Sequence, residues 1–341
     1  MSTSSTAMSN NSEPLFEAFL NKHDERAWEE VVRSLEPSIH EVDRSATRIW
    51  FYFFPLSIAR ALQQAEDPEQ LARKLLLKGS YRLKDQIDSS HQFLYGHRYW
   101  PEVKSAVATL AASSSAPASL DIAAQIRNIA REVAARAAVD ESLLVGITAI
   151  AFMTLQQVGV TAFKASTAVP KKPVAKTPEQ TVRERARDDK QGVLGFLKPD
   201  KIFTITFDES DPQASFKLIN TQHLTTAAAA DKREYHSREP RCIVGEGPIP
   251  VECRSASCGT CWVGVLGGAE KLSEVRELEW RRIKEFGYIA TEEPKPVIRL
   301  ACQAQAFGAV SIVIPPWNGD FGKFLRGYRS LLEDAEQPSG S

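Results

Sequence analysis

All five cysteines of this 341-residue chain lie between Cys242 and Cys302, and the 241 residues before them contain none. Four follow a fixed arrangement: Cys253, four residues, Cys258, two residues, Cys261, then forty residues to Cys302. This grouping constrains the last third of the chain more than any other feature. Three thiols share one short loop, and a distant segment must deliver the fourth. The first dozen residues, MSTSSTAMSNNS, lack the basic start and apolar run of an export signal and read as a disordered terminus over 1–12. With no export signal and an odd count, a disulfide framework is not expected. Clustered thiols point first to a metal.

The rest of the chain divides by its periodicity. Its length predicts two domains. Apolar residues make up 43% and charged residues 25%, as in soluble globular proteins. The net charge of −1 provides no concentrated basic surface, so nucleic acid is not an expected partner. Residues 13–165 read as an all-α domain. Leu15, Phe16, Phe19, Leu20, Trp28, Val31, Val32 and Leu35 recur at helical spacing, predicting one amphipathic helix over 14–35. Five successive aromatics, Trp50 to Phe54, must be buried or covered, and Pro55 should start or kink a helix there. Asp67-Pro68-Glu69 reads as another helix start, and Ile122–Ala138 as an Ala-rich helix. Ser142–Phe163 is uncharged and long enough for a bilayer span, but Gln156, Gln157 and three threonines interrupt it. It reads either as a buried central helix or as a membrane-associating one. Residues 166–198, rich in proline and mixed charge, read as a flexible linker. After it the period shortens: strands are expected at 201–207, 261–266, 297–301 and 310–314, with a capped helix at 273–286. The domain is placed at 199–320, followed by a tail over 321–341.

The loop CRSASCGTC (253–261) has five small residues among the six between its cysteines, and Gly259 can take a positive φ where the backbone turns. Two iron atoms bridged by two sulfides need four thiolates, and small residues let N–H groups fold inward toward sulfur. The spacing is that of plant-type [2Fe–2S] proteins. Zinc also accepts four thiolates, but structural zinc favours paired two-residue spacings, and only one such pair occurs here. The run 263–269, Leu272-Ser273, Leu278-Glu279 with Ile283, and RLACQ at 299–303 complete the pattern. The region resembles the plant-type [2Fe–2S] ferredoxin family, whose fold is a β-grasp. That resemblance implies a [2Fe–2S] cofactor ligated by Cys253, Cys258, Cys261 and Cys302, one-electron transfer, and a low potential on the order of −400 mV. Leu224–Ala230 stands where such a domain carries a short helix, and 231–250 looks like an insertion.

Other features take ordinary readings. Cys242, outside the pattern, is expected to be a loop or buried thiol. His91 and His97, six residues apart, would fall on different faces of a helix, which favours packing or capping roles over a shared ligand. The sequence contains no dinucleotide-binding glycine pattern, no P-loop and no Ser/His/Asp grouping. The expectation is therefore an electron carrier or electron-transfer subunit without its own flavin or nicotinamide site. Its donor and acceptor would be separate redox proteins. The first reading is a carrier tethered by the linker and docked by the helical domain to a larger assembly or a membrane. The alternatives are an integral iron–sulfur subunit of a multi-component oxidoreductase and a non-catalytic redox or iron sensor. A cytoplasmic location, with membrane association through Ser142–Phe163 as the variant, completes these expectations.

Overall fold

The structure, a computed structural model, describes residues 15–113, 121–167, 176–191, 200–286 and 295–321. The expected disordered terminus, most of the Ala112–Ser119 loop, residues 168–175 and 192–198 of the linker, and 322–341 of the tail lie outside the described residues. Phe321, the first tail residue, is buried in the core.

The first half is a helical bundle. The expected 14–35 helix divides into α1 (Leu15–Asn21) and α2 (Glu25–Leu35), because Asp24 caps α2, accepting the Ala27 N–H at 2.8 Å. Next come α3 (Glu41–Phe53) and α4 (Leu56–Gln64), separated at Pro55. The Glu25 carboxylate accepts from the Leu56 and Ser57 N–H groups at the start of α4. Asp67 caps α5 (Pro68–Lys74), with proline in its first turn. A two-residue strand, β1 (Lys78–Gly79), precedes α6 (Trp100–Ala112) and α7 (Ile122–Ala137). The bundle closes around α8 (Ser142–Ala165), kinked at Gly159.

Helix α8 is long and apolar enough to cross a membrane, yet 89% of its apolar window is buried inside the protein. Its glutamines serve the bundle. Gln156 accepts from the Trp28 indole at 2.6 Å and donates to Leu20 O at 2.7 Å, and Gln157 donates to Phe54 O at 2.7 Å. Trp50, Phe53 and Phe54 of the aromatic run are buried in the same core.

The span read as a linker contains a helix, α9 (Pro178–Ala186), opened by a Thr177/Gln180 capping box. Beyond it come β2 (Ile202–Thr206), β3 (Ser215–Ile219), α10 (Leu224–Ala228), β4 (Trp262–Gly267), α11 (Glu277–Phe286), β5 (Ile298–Leu300), β6 (Val310–Val313) and β7 (Trp317–Asn318). Five strands form one sheet in the order β3-β2-β6-β4-β5, in which only β2 and β6 run parallel. Within this region the order is second, first, fifth, third, fourth, which is the β-grasp arrangement.

The two halves share one hydrophobic core. Helix α3 lies on β4 at Gly264, where a Cβ would come within 2.6 Å of Ile49 Cγ2. Strand β1 pairs antiparallel with β7. The Trp317 indole donates to Phe53 O at 2.5 Å, and the Trp262 indole donates to Trp317 O at 2.9 Å. Arg185 of α9 makes two 2.8 Å bonds to Glu209 and donates to Val42 O of α3. Helix α9 thus clasps both halves, although its polar composition gives it no core of its own.

Candidate metal centre

The loop before β4 has little regular structure, and its shape comes from three residues at positive φ: Arg254 (57°), Ala256 (60°) and Gly259 (69°). Only the glycine signalled this in the sequence. The turns aim backbone N–H groups at sulfur: Ser255 and Ser257 donate to Cys253 Sγ at 3.4 and 3.2 Å. The Ala256 backbone helps lower the Cys302 thiol. The Thr260 hydroxyl donates to Cys258 Sγ at 3.1 Å.

Sheet register delivers the fourth thiol. Trp262 of β4 stands opposite Leu300 of β5, and the Ala301 N–H bonds Cys261 O at 2.9 Å. The turn that follows β5 therefore carries Cys302 against Cys261. Behind it, Arg299 and Glu279 are both about 1% exposed and pair through bonds of 2.8 and 2.9 Å. Glu279 also accepts the Leu300 N–H at 2.9 Å, so α11 fixes the strand that leads into Cys302.

The four thiols influence one another electrostatically, Cys258 acting on Cys253 and Cys261, and Cys253 and Cys261 acting on Cys302. Cys253 and Cys258 are half-buried, whereas Cys261 and Cys302 are 1% and 5% exposed. Among the described residues, no three His, Cys, Asp or Glu side chains are set to hold a single ion. A two-plus-two arrangement fits a dinuclear group with two thiolates on each metal. Burial would raise the Cys253 thiol, but the hydrogen bonds from Ser257 and Ser255 and the contact with Cys258 bring it down to about 6. Contact with Cys261 outweighs burial and lowers Cys302 to about 7, while Cys261, bonded to Cys302 and buried, is raised. The surroundings thus favour the thiolate at Cys253 and Cys302 and the protonated thiol at Cys261.

Residues 243–306 match the model of the 2Fe-2S iron-sulfur cluster binding domain family. This part of the chain is a [2Fe–2S] domain. The match takes in all four grouped thiols and begins after β2 and β3, which belong to the same sheet, and after α10. No solved structure matches the chain.

The residues outside the pattern fall as follows. Cys242 is buried, and its thiol bonds Pro248 O at 3.3 Å. Burial, with Glu239 nearby, pushes it up to about 11. His91 and His97 do not lie on opposite faces of a helix, because 86–99 folds as turns and short 3₁₀ segments. Their rings face each other with Nδ1 atoms 2.8 Å apart, and His91 packs on Trp100. The side-chain donors to sulfur at Thr260 and Gln303 leave no mark in the sequence, since a side chain's proximity to a thiol depends on turn geometry. Glu279 and Arg299 both belong to the sequence pattern, but only the fold brings them together as a pair.

Proposed function

We propose that this protein relays single electrons through a [2Fe–2S] cluster ligated by Cys253, Cys258, Cys261 and Cys302, with the helical half and the [2Fe–2S] domain working as one body. The observation that carries this reading is the sorting of the four thiols into one half-exposed and one buried pair. The bound cluster supplies reversible one-electron chemistry. The chain stabilises the added negative charge with inward N–H and O–H donors, and it controls access. Cys261 and Cys302 are sealed by the sheet, so electrons pass at the loop face beside Cys253 and Cys258. Two ion pairs rim that face, Arg254 with Glu246 and Lys78 with Glu252, the second reaching across from the helical half.

The shared core and the α9 clasp favour an integral iron–sulfur subunit of a multi-component oxidoreductase over a carrier on a slack tether. Helix α8 spends its apolar surface inside the bundle, which favours docking to protein over insertion into a bilayer. Donor and acceptor are then neighbouring redox proteins of the assembly. The buried, high-pKa Cys242 gives the sensor reading no support.

The test is anaerobic purification followed by iron and sulfide analysis, visible absorption, and EPR before and after dithionite. The reading requires two irons per chain and a rhombic S = 1/2 signal that appears on reduction. A colourless, zinc-loaded protein would sink it. Co-elution of the chain with a flavin- or metal-containing protein from native extract supports the subunit form, and rapid exchange as a free monomer supports a carrier.

A further inference from the structure

We propose that Gln303 sets the reduction potential of this site by donating its side-chain amide N–H to the sulfur of Cys302; the inference rests on the four-cysteine ligation argued above. Gln303 sits in the turn after β5, where its backbone is held on both sides. Its N–H bonds Leu300 O at 2.8 Å, the Ala304 N–H bonds the same oxygen at 3.0 Å, and Ala304 O accepts the Leu224 N–H of α10 at 3.0 Å. With the backbone fixed, the side chain folds back over its predecessor. Nε2 lies 3.2 Å from Cys302 O and 3.5 Å from Cys302 Sγ. Both neighbours are acceptors, and this decides which end of the amide faces them. A flipped amide would set its carbonyl oxygen against two lone-pair-bearing atoms with no proton between them.

One-electron reduction moves negative charge onto the cluster and its thiolates. A donor on a ligand sulfur stabilises the reduced form more than the oxidised form, so it raises the potential. No bond breaks and no proton moves. The electron enters the site, and the amide holds the charge it brings. The loop donors at Ser255 and Ser257 are backbone groups that no substitution but proline can remove, and Thr260 is buried. Gln303 is half-buried and, among the described residues, is the one side-chain amide bonded to a thiol of the site. It is therefore the donor by which this chain's potential can be adjusted without rebuilding the loop.

The experiment compares the full-length holoprotein with Gln303→Met, which keeps length and apolar volume but has no N–H, and with Gln303→Glu, which replaces the donor by an acceptor. Spectroelectrochemical titration should place the midpoint of Gln303→Met below wild type and that of Gln303→Glu lower still, with two irons per chain retained. An unchanged midpoint in Gln303→Met with an intact cluster overturns the proposal. Should a variant lose its cluster, pulsed EPR of reduced wild type labelled with side-chain ¹⁵N-glutamine provides a second readout. A coupled nitrogen is expected, and its absence overturns the proposal. A wild-type protein with no diiron signal at all defeats the ligation reading instead, so the two failures are distinguishable.

Discussion

Glu279 and Arg299 meet inside the [2Fe–2S] domain, carboxylate to guanidinium through two near-parallel bonds, and the same carboxylate holds the Leu300 N–H two residues before Cys302. Charges this deep are not placed for their net attraction, since desolvation consumes most of it. Their value is geometric: α11, β5 and the fourth thiol are locked in one register.

The first prediction concerns that pair. Glu279→Gln should leave a buried guanidinium without its charge partner and cost about 3–5 kcal/mol, the usual penalty for breaking one side of a buried ion pair. The urea midpoint should fall accordingly, and the cluster should bleach faster under EDTA than in wild type. A variant that unfolds and bleaches like wild type would contradict the assigned role.

A second prediction addresses the joint between the halves. Trp317→Phe keeps the ring but deletes the indole N–H that bonds Phe53 O, leaving a buried carbonyl short of its donor at a cost of about 1–3 kcal/mol. Far-UV circular dichroism, which reports mainly the helices, and visible absorption of the cluster should lose signal in a single coincident urea transition, in wild type and variant alike. Two separated transitions would show that the halves fold independently.

The third prediction is a pH dependence. Burial, then the charge of His97, holds His91 well below the ordinary imidazole value of 6.5. A base depressed in the folded state stabilises the fold above its unfolded pKa, and that contribution is lost as pH falls. The urea midpoint should therefore hold between about pH 8 and 7 and decline below about 6.5. His97, Lys104 and Asp88 are the charged or titratable groups nearest this ring. His91→Phe should flatten the decline, and a slope as steep as wild type would assign it elsewhere.

The fourth prediction tests the thiol outside the pattern. At pH 8, Cys242, pushed up to about 11 by burial and bonded to Pro248 O, is almost wholly protonated. Iodoacetamide treatment of the native holoprotein, followed by peptide mass analysis, should find it unmodified after exposures that fully label it in urea. Rapid native labelling would reopen a redox role.

The sequence made the [2Fe–2S] domain legible because thiol spacing, RLACQ and period-two strands are local signals. It also placed α7, α8 and the start of α5 closely, where Asp121, the long apolar run and Asp67 mark them, but it ran α5 on into Lys78–Gly79, which pairs as β1. It missed β3, although SFKLI alternates, because the strand is short and lies at the sheet edge. Helix α9 was hidden for a different reason. Its composition is that of a linker, and its order comes from Arg185 meeting Glu209, Val42 and the bare backbone at Gly267. Positive φ at Arg254 and Ala256 was invisible because it is imposed by the donors converging on sulfur. The histidines pack, as expected, but they meet because the chain makes turns there where a helix would have kept them apart.

The bond from Trp317 to Phe53 joins residues 264 positions apart. During synthesis, the surface of α3 that later receives the sheet waits uncovered until nearly the whole chain has left the ribosome. Contacts of such long range form slowly, and exposed apolar surface invites aggregation meanwhile. Production of this protein should therefore depend on how quickly the C-terminal third acquires iron and sulfide, and cells starved of either should accumulate the nascent helical half bound to chaperones.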